Sequence, residues 1–82
     1  MDINQAADAV ERFVTGFTDA SKRAAREIKV RPSGDDPSHI KVWVDLGPGV
    51  DDAACHAWAE ACKAAVVKVT GEYTVEVRAE SL

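Results

Sequence analysis

The chain has 82 residues, with ten Lys and Arg against fourteen Asp and Glu, for a net charge of −4. That length holds a single domain, 1–82, and an apolar content of 46% is too high for a disordered chain. Two Cys are too few for a disulfide scaffold, and the acidic balance weighs against a binder that works by neutralising nucleic-acid phosphates.

The first element reads as an amphipathic helix. Ile3, Ala6, Ala7, Val10, Phe13, Val14 and Phe17 recur at helical spacing and form one apolar stripe. Asp2 suits the N-cap, and Gln5 three residues on resembles half of a capping box. Gly16 is costly inside a helix, by about 1 kcal/mol against Ala. The helix is therefore expected to end near Thr15, with Thr18 capping a second short turn from Ser21 to Arg26; one continuous helix to Arg26 is the alternative.

Strand alternation follows. Ile28 and Val30 alternate with Glu27, Lys29 and Arg31, and Ile40, Val42, Val44 and Leu46 alternate with Lys41, Trp43 and Asp45. Residues 32–38, with two Pro, one Gly and two Asp, form the connecting loop of an antiparallel hairpin. Gly47-Pro48-Gly49 ends the second strand, and Asp51 or Asp52 opens a second helix. Ala54, Trp58, Ala61, Cys62, Ala65, Val66 and Val69 share its inner face, and Gly71 stops it. Tyr73, Val75, Val77 and Ala79 alternate along a third strand.

The order α-β-β-α-β predicts an α+β fold: a two-layer sandwich with two helices on one face of a three-stranded sheet. The other face would stay open and carry Lys29, Lys41, Trp43, Asp45, Glu76 and Arg78. Ala and Val dominate the apolar set, so a monomer of this size is marginal and a partner surface would help it.

No arranged chemistry stands out. Cys55 and Cys62 share a helix face but sit two turns apart, about 10.5 Å at 1.5 Å per residue, too far for one zinc ion or a disulfide. His56 points away from Cys55, and Cys62 lies on the Trp58 and Val66 stripe, so the thiols read as core residues. His39 and His56 have no nucleophile partner, and the Asp pairs lack the alternating pattern of a calcium loop. Gly47-Pro48-Gly49 matches no phosphate-loop fingerprint. The expectation is therefore no enzyme, no catalytic residue, no metal and no cofactor.

Trp43 is the residue singled out. If Ile40, Val42 and Val44 face the helices, Trp43 faces the open side among charges, the setting of an interface anchor. Its ring could equally lie over Lys41 or Arg78 with no functional weight. The candidate protein-interaction residues are Trp43, Lys41, Asp45, Glu76 and Arg78. Arg12, Arg23 and Arg26 read as ordinary solvated surface.

The C-terminal half combines an alternating strand ending in a Gly turn (residues 40–47), an amphipathic helix, and Thr70-Gly71 before an alternating Val strand (Tyr73, Val75, Val77). With Val10, Val14, Gly16 and Phe17 in the first helix, this resembles the alkaline shock protein family of bacterial envelope-stress proteins. The resemblance implies a small non-catalytic assembly domain that binds a copy of itself or a protein at the membrane. The element order is also similar to lipid-contacting envelope domains, to ring-building modules of secretion and sporulation machines, and to KH-type RNA modules. The Gly-x-x-Gly loop and basic groove of the last are not evident in the sequence.

A second expectation from a different class is a stand-alone acidic inhibitor, of the immunity or phage anti-defence type, whose carboxylates cover a basic site on a target. No apolar run reaches the roughly 18 residues of a membrane span. Met1-Asp2-Ile3-Asn4-Gln5 does not read as a signal peptide, and the expected location is cytoplasmic.

Overall fold

The computed structural model describes residues 2–82. Five elements follow in the order α1 (Ile3–Gly16), β1 (Glu27–Pro32), β2 (His39–Asp45), α2 (Asp52–Thr70) and β3 (Thr74–Glu80). They form the expected α+β sandwich, with both helices packed on one face of a mixed three-stranded sheet.

α1 begins with a complete capping box. The Gln5 N–H donates to the Asp2 carboxylate at 2.8 Å, and the Asp2 N–H donates to Gln5 Oε1 at 3.0 Å. Ala6, Ala7, Val10 and Val14 form its buried stripe. The helix stops at Gly16, but no second helical turn follows. Asp19 takes the amides that such a turn would have used: its Oδ1 accepts from Ser21 N–H at 3.0 Å and Arg23 N–H at 3.1 Å. Lys22 adopts a left-handed φ of 62°, and a lone bridge joins Thr18 to Ala24. A short side-chain acceptor has offered the backbone a local alternative to helix.

β1 and β2 are antiparallel, with Ile28 opposite Val44 and Val30 opposite Val42. The apolar rows therefore coincide on one face. β2 and β3 are parallel, with Val42 opposite Val77 and Ile40 opposite Val75. A parallel neighbour needs a long crossover, which α2 supplies. The sheet order is β1-β2-β3, so β2 is central and the other two strands are edges.

Asp51, rather than Asp52, caps α2, accepting from Ala54 N–H at 2.8 Å. Gly71 closes the helix at a φ of 63°, where a side chain would be strained. The core joins Val10 and Val14 of α1, Ile40, Val42 and Val44 of β2, Val75 of β3, and Trp58, Cys62 and Val66 of α2. Trp58 is the largest fully buried side chain. Phe17 meets it edge-on at 5.2 Å, and the indole N–H donates to the Arg23 carbonyl at 2.7 Å. One core residue thus also fastens the 17–26 loop.

Candidate interaction surface

Strand register arranges the uncovered face of the sheet in three rows. Arg31, Lys41 and Glu76 lie side by side across the strands; next come Lys29, Trp43 and Arg78; then Glu27, Asp45 and Glu80. Alternation put these side chains on one face, and pairing brings them together.

Trp43 occupies the middle of the middle row and is half-buried. Its indole N–H donates to Glu80 Oε2 at 3.1 Å, while Arg78 holds the other Glu80 oxygen at 3.0 Å. The cation over its ring is Lys29, at 5.2 Å from the centroid, in place of the Lys41 or Arg78 that the sequence suggested. Around the indole, Lys29, Arg31, Lys41, Glu76 and Arg78 line an open depression of about 500 Å³.

Asp45 departs from its expected place among the exposed charges. Its side chain is only 2% exposed, whereas its partner Arg26 is 60% exposed. Three donors reach the carboxylate: Arg26 Nη2 at 2.7 Å, Gly47 N–H at 2.7 Å and Leu82 N–H at 3.2 Å. The Gly47 amide does most to lower its pKa, against the burial that raises it, and Arg26 and Leu82 add to the lowering. Arg26 is thus tied to a buried acid rather than being simple solvated surface. Ser81 completes the node, its hydroxyl donating to the Gly47 carbonyl and accepting from Val50 N–H at 3.1 Å. Asp45 knits the β2–α2 loop to the chain end, and it is not presented for contact.

The candidate chemistry elsewhere is structural. Cys55 and Cys62 are buried free thiols on the inner face of α2. Burial pushes the Cys62 thiol up to about 11. Cys55 is raised too, chiefly by burial and then by the charges of Asp52 and Asp51. His56 is exposed on the same helix, and His39 Nδ1 pairs with the Thr74 hydroxyl at 2.8 Å. Among the described residues, no group of three or more His, Cys, Asp or Glu is placed to hold a metal ion. Among those residues, no helix is long and apolar enough to cross a membrane.

Of the five candidate interaction residues, Trp43, Lys41, Glu76 and Arg78 are brought together and Asp45 is set apart. Lys29 and Arg31 belong with them and were missed as site residues. Their signal was the odd-numbered alternation of β1, which needed the register opposite Lys41 and Trp43 to acquire meaning.

Fold and surface together define a two-layer α+β domain with one sheet face uncovered. No family model and no curated protein matches the chain. Among solved structures, a doubly substituted form of the MamM CTD is similar. It is 22% identical with a TM-score of 0.53, over 96% of this chain and 92% of that one. That likeness is one of fold.

Proposed function

We propose that the chain is a small non-catalytic protein-interaction domain whose contact surface is the open sheet face around Trp43. The observation that carries this reading is a half-buried Trp at the centre of the middle strand, on the face that no helix covers. Indole at such a position supplies contact area at low entropic cost, and the surrounding charges form the polar rim of an interface. The buried titratable groups are already committed: Asp45 to the chain-end node and the two thiols to the core. The resemblance to alkaline shock proteins supports an assembly role in envelope stress, and Thr70-Gly71 does stand at the junction of α2 and β3.

Photo-crosslinking in cells tests this proposal. A p-benzoylphenylalanine is placed at position 76 on the open face, or at exposed position 63 on α2. Polypeptide adducts from 76 that are absent from 63 and lost with Trp43→Ala are expected. Equal adducts from both positions, or none from 76, would overturn the reading. An adduct of twice the chain mass identifies assembly, and any other mass identifies a separate partner.

A further inference from the structure

The chain carries a net charge of −4, yet two of the three rows of its open face are basic. Four of the ten Lys and Arg, namely Lys29, Arg31, Lys41 and Arg78, stand in the two rows around Trp43 with a single carboxylate, Glu76. Arg78 is paired with Glu80 of the third row, so the depression keeps a local excess of two positive charges. The other six cations face thirteen carboxylates over the rest of the chain. The unbalanced positive charge of the open face thus lies at the depression around Trp43, while the third row is acidic. From this we infer that the occupant of the open face is an acidic polypeptide segment of another protein. The inference rests on the interaction reading above and adds the partner's chemistry to it.

A second copy docked through the same face fits poorly. A two-fold contact sets the same patch against itself, so two patches of net positive charge would face each other. The acidic row cannot relieve this by a shifted register. Asp45 is buried, Glu80 is engaged by Trp43 and Arg78, and Glu27 alone stays free.

Single-stranded nucleic acid fits less well than a peptide, for two reasons. A stacked base needs a bare ring face, and the Lys29 ammonium lies 5.2 Å from the Trp43 centroid while the indole N–H is tied to Glu80. A polyanion longer than the patch would also run past it toward the acidic row of Glu27 and Glu80. A short acidic segment presents its charge over the depression alone, and its apolar side chains can lie against the indole edge.

The test is fluorescence anisotropy of a fluorescein-labelled poly-Glu peptide at salt from about 20 to about 300 mM, a range over which exposed charge contacts are progressively screened. The protein should bind it, and binding should weaken steeply with salt. The pair Lys29→Glu/Lys41→Glu should reduce affinity by at least about tenfold. The pair Lys63→Glu/Lys68→Glu, which makes the same change of net charge on exposed positions of α2, should stay within about twofold. Lys29→Gln/Lys41→Gln repeats the test should the reversed pair fail to fold by circular dichroism.

No binding of poly-Glu at low salt, or equal loss in both pairs, overturns the inference. Tighter binding of a labelled oligothymidylate replaces the peptide with nucleic acid. Self-association that vanishes in Lys29→Glu/Lys41→Glu replaces it with the carboxylates of a second copy. Should poly-Glu fail while adducts from position 76 persist, the acidic partner falls and the interaction surface stands. Should adducts from 76 also be absent, both readings fall.

Discussion

Trp58 and Trp43 lie on opposite sides of the same three-stranded sheet. Trp58 is fully buried, and its N–H goes to a backbone carbonyl of the 17–26 loop. Trp43 is half-buried, and its N–H goes to the side chain of Glu80. The first bond reaches 35 residues along the chain to hold a loop without helix or strand. The second joins neighbouring strands that the β2–β3 ladder already holds. On the helix side, side chains make the fold. On the open side the backbone ladder has done so already, and the side chains are free to be selected for something else. The difference lies in burial and partner type, because the residue is the same.

The largest expected effect comes from removing the covered tryptophan. Trp58→Ala deletes the biggest core side chain, uncouples Phe17 and leaves the Arg23 carbonyl without its donor. Such a change costs about 3–5 kcal/mol, a large share of the stability of a small domain. Thermal or urea unfolding measures it, and a loss below about 1 kcal/mol would show that the core does not rest on this residue. The thiols supply a second readout. In the wild type, Cys55 and Cys62 should label at neutral pH only as fast as the structure opens, since burial raises both pKa values and Cys62 reaches about 11. Cys55, in the first turn of α2, should react first as that turn frays. In Trp58→Ala both should label at once.

A smaller effect is expected where the two sides meet. Asp45 stands in an open-face row, yet it is buried and bonded to Arg26, Gly47 and Leu82. Its folded pKa lies below the ordinary aspartate value of 3.8, so the folded state favours the carboxylate more than the unfolded chain does. Its contribution is full above the unfolded value and is lost as pH falls through the folded one. Acid should therefore lower the Tm of the wild type below about pH 4. Asp45→Asn should lower the Tm at pH 7 by several degrees, less than Trp58→Ala, and should flatten that acid limb. An unchanged acid limb in the variant would show that other carboxylates carry the pH dependence.

Asp45 also marks where sequence reasoning ran out. The strands were legible because Ile28, Val30, Ile40, Val42 and Val44 alternate without interruption. α1 was legible because Asp2 and Gln5 sit at capping spacing, and α2 because Asp51 and Gly71 bracket its periodic stripe. Local patterns of this kind need no knowledge of distant residues. Asp45 does need it: Gly47 is local, but Arg26 and Leu82 lie 19 and 37 positions away, and alternation records the face of a side chain but not what closes over it. The 17–26 loop failed for the converse reason. Asp19 competes with helix through its own carboxylate, which composition alone does not reveal. The basic patch lay hidden behind the overall charge of −4. It emerges when charges are counted by face, and the faces are aligned only once β1 is set in register against β2 and β3.

The smallest effect on stability is expected at Trp43, and that is what makes the variant informative. Trp43→Ala gives up one hydrogen bond to an already paired Glu80, the Lys29 contact and a partly covered ring, about 1–2 kcal/mol in all. The far-UV circular dichroism should be unchanged and the Tm shift should be much smaller than for Trp58→Ala. Adducts from position 76 should nevertheless disappear. Loss of fold in Trp43→Ala would place this ring among the residues that hold the sheet together, and the two sides would no longer differ in kind. Retained fold with retained adducts would leave the indole structurally and functionally idle, and would shift the contact onto the cations alone. Only retained fold with lost adducts separates a side chain that builds the sheet from one that the sheet presents. The matched pair of tryptophans allows that separation to be read with a single type of substitution.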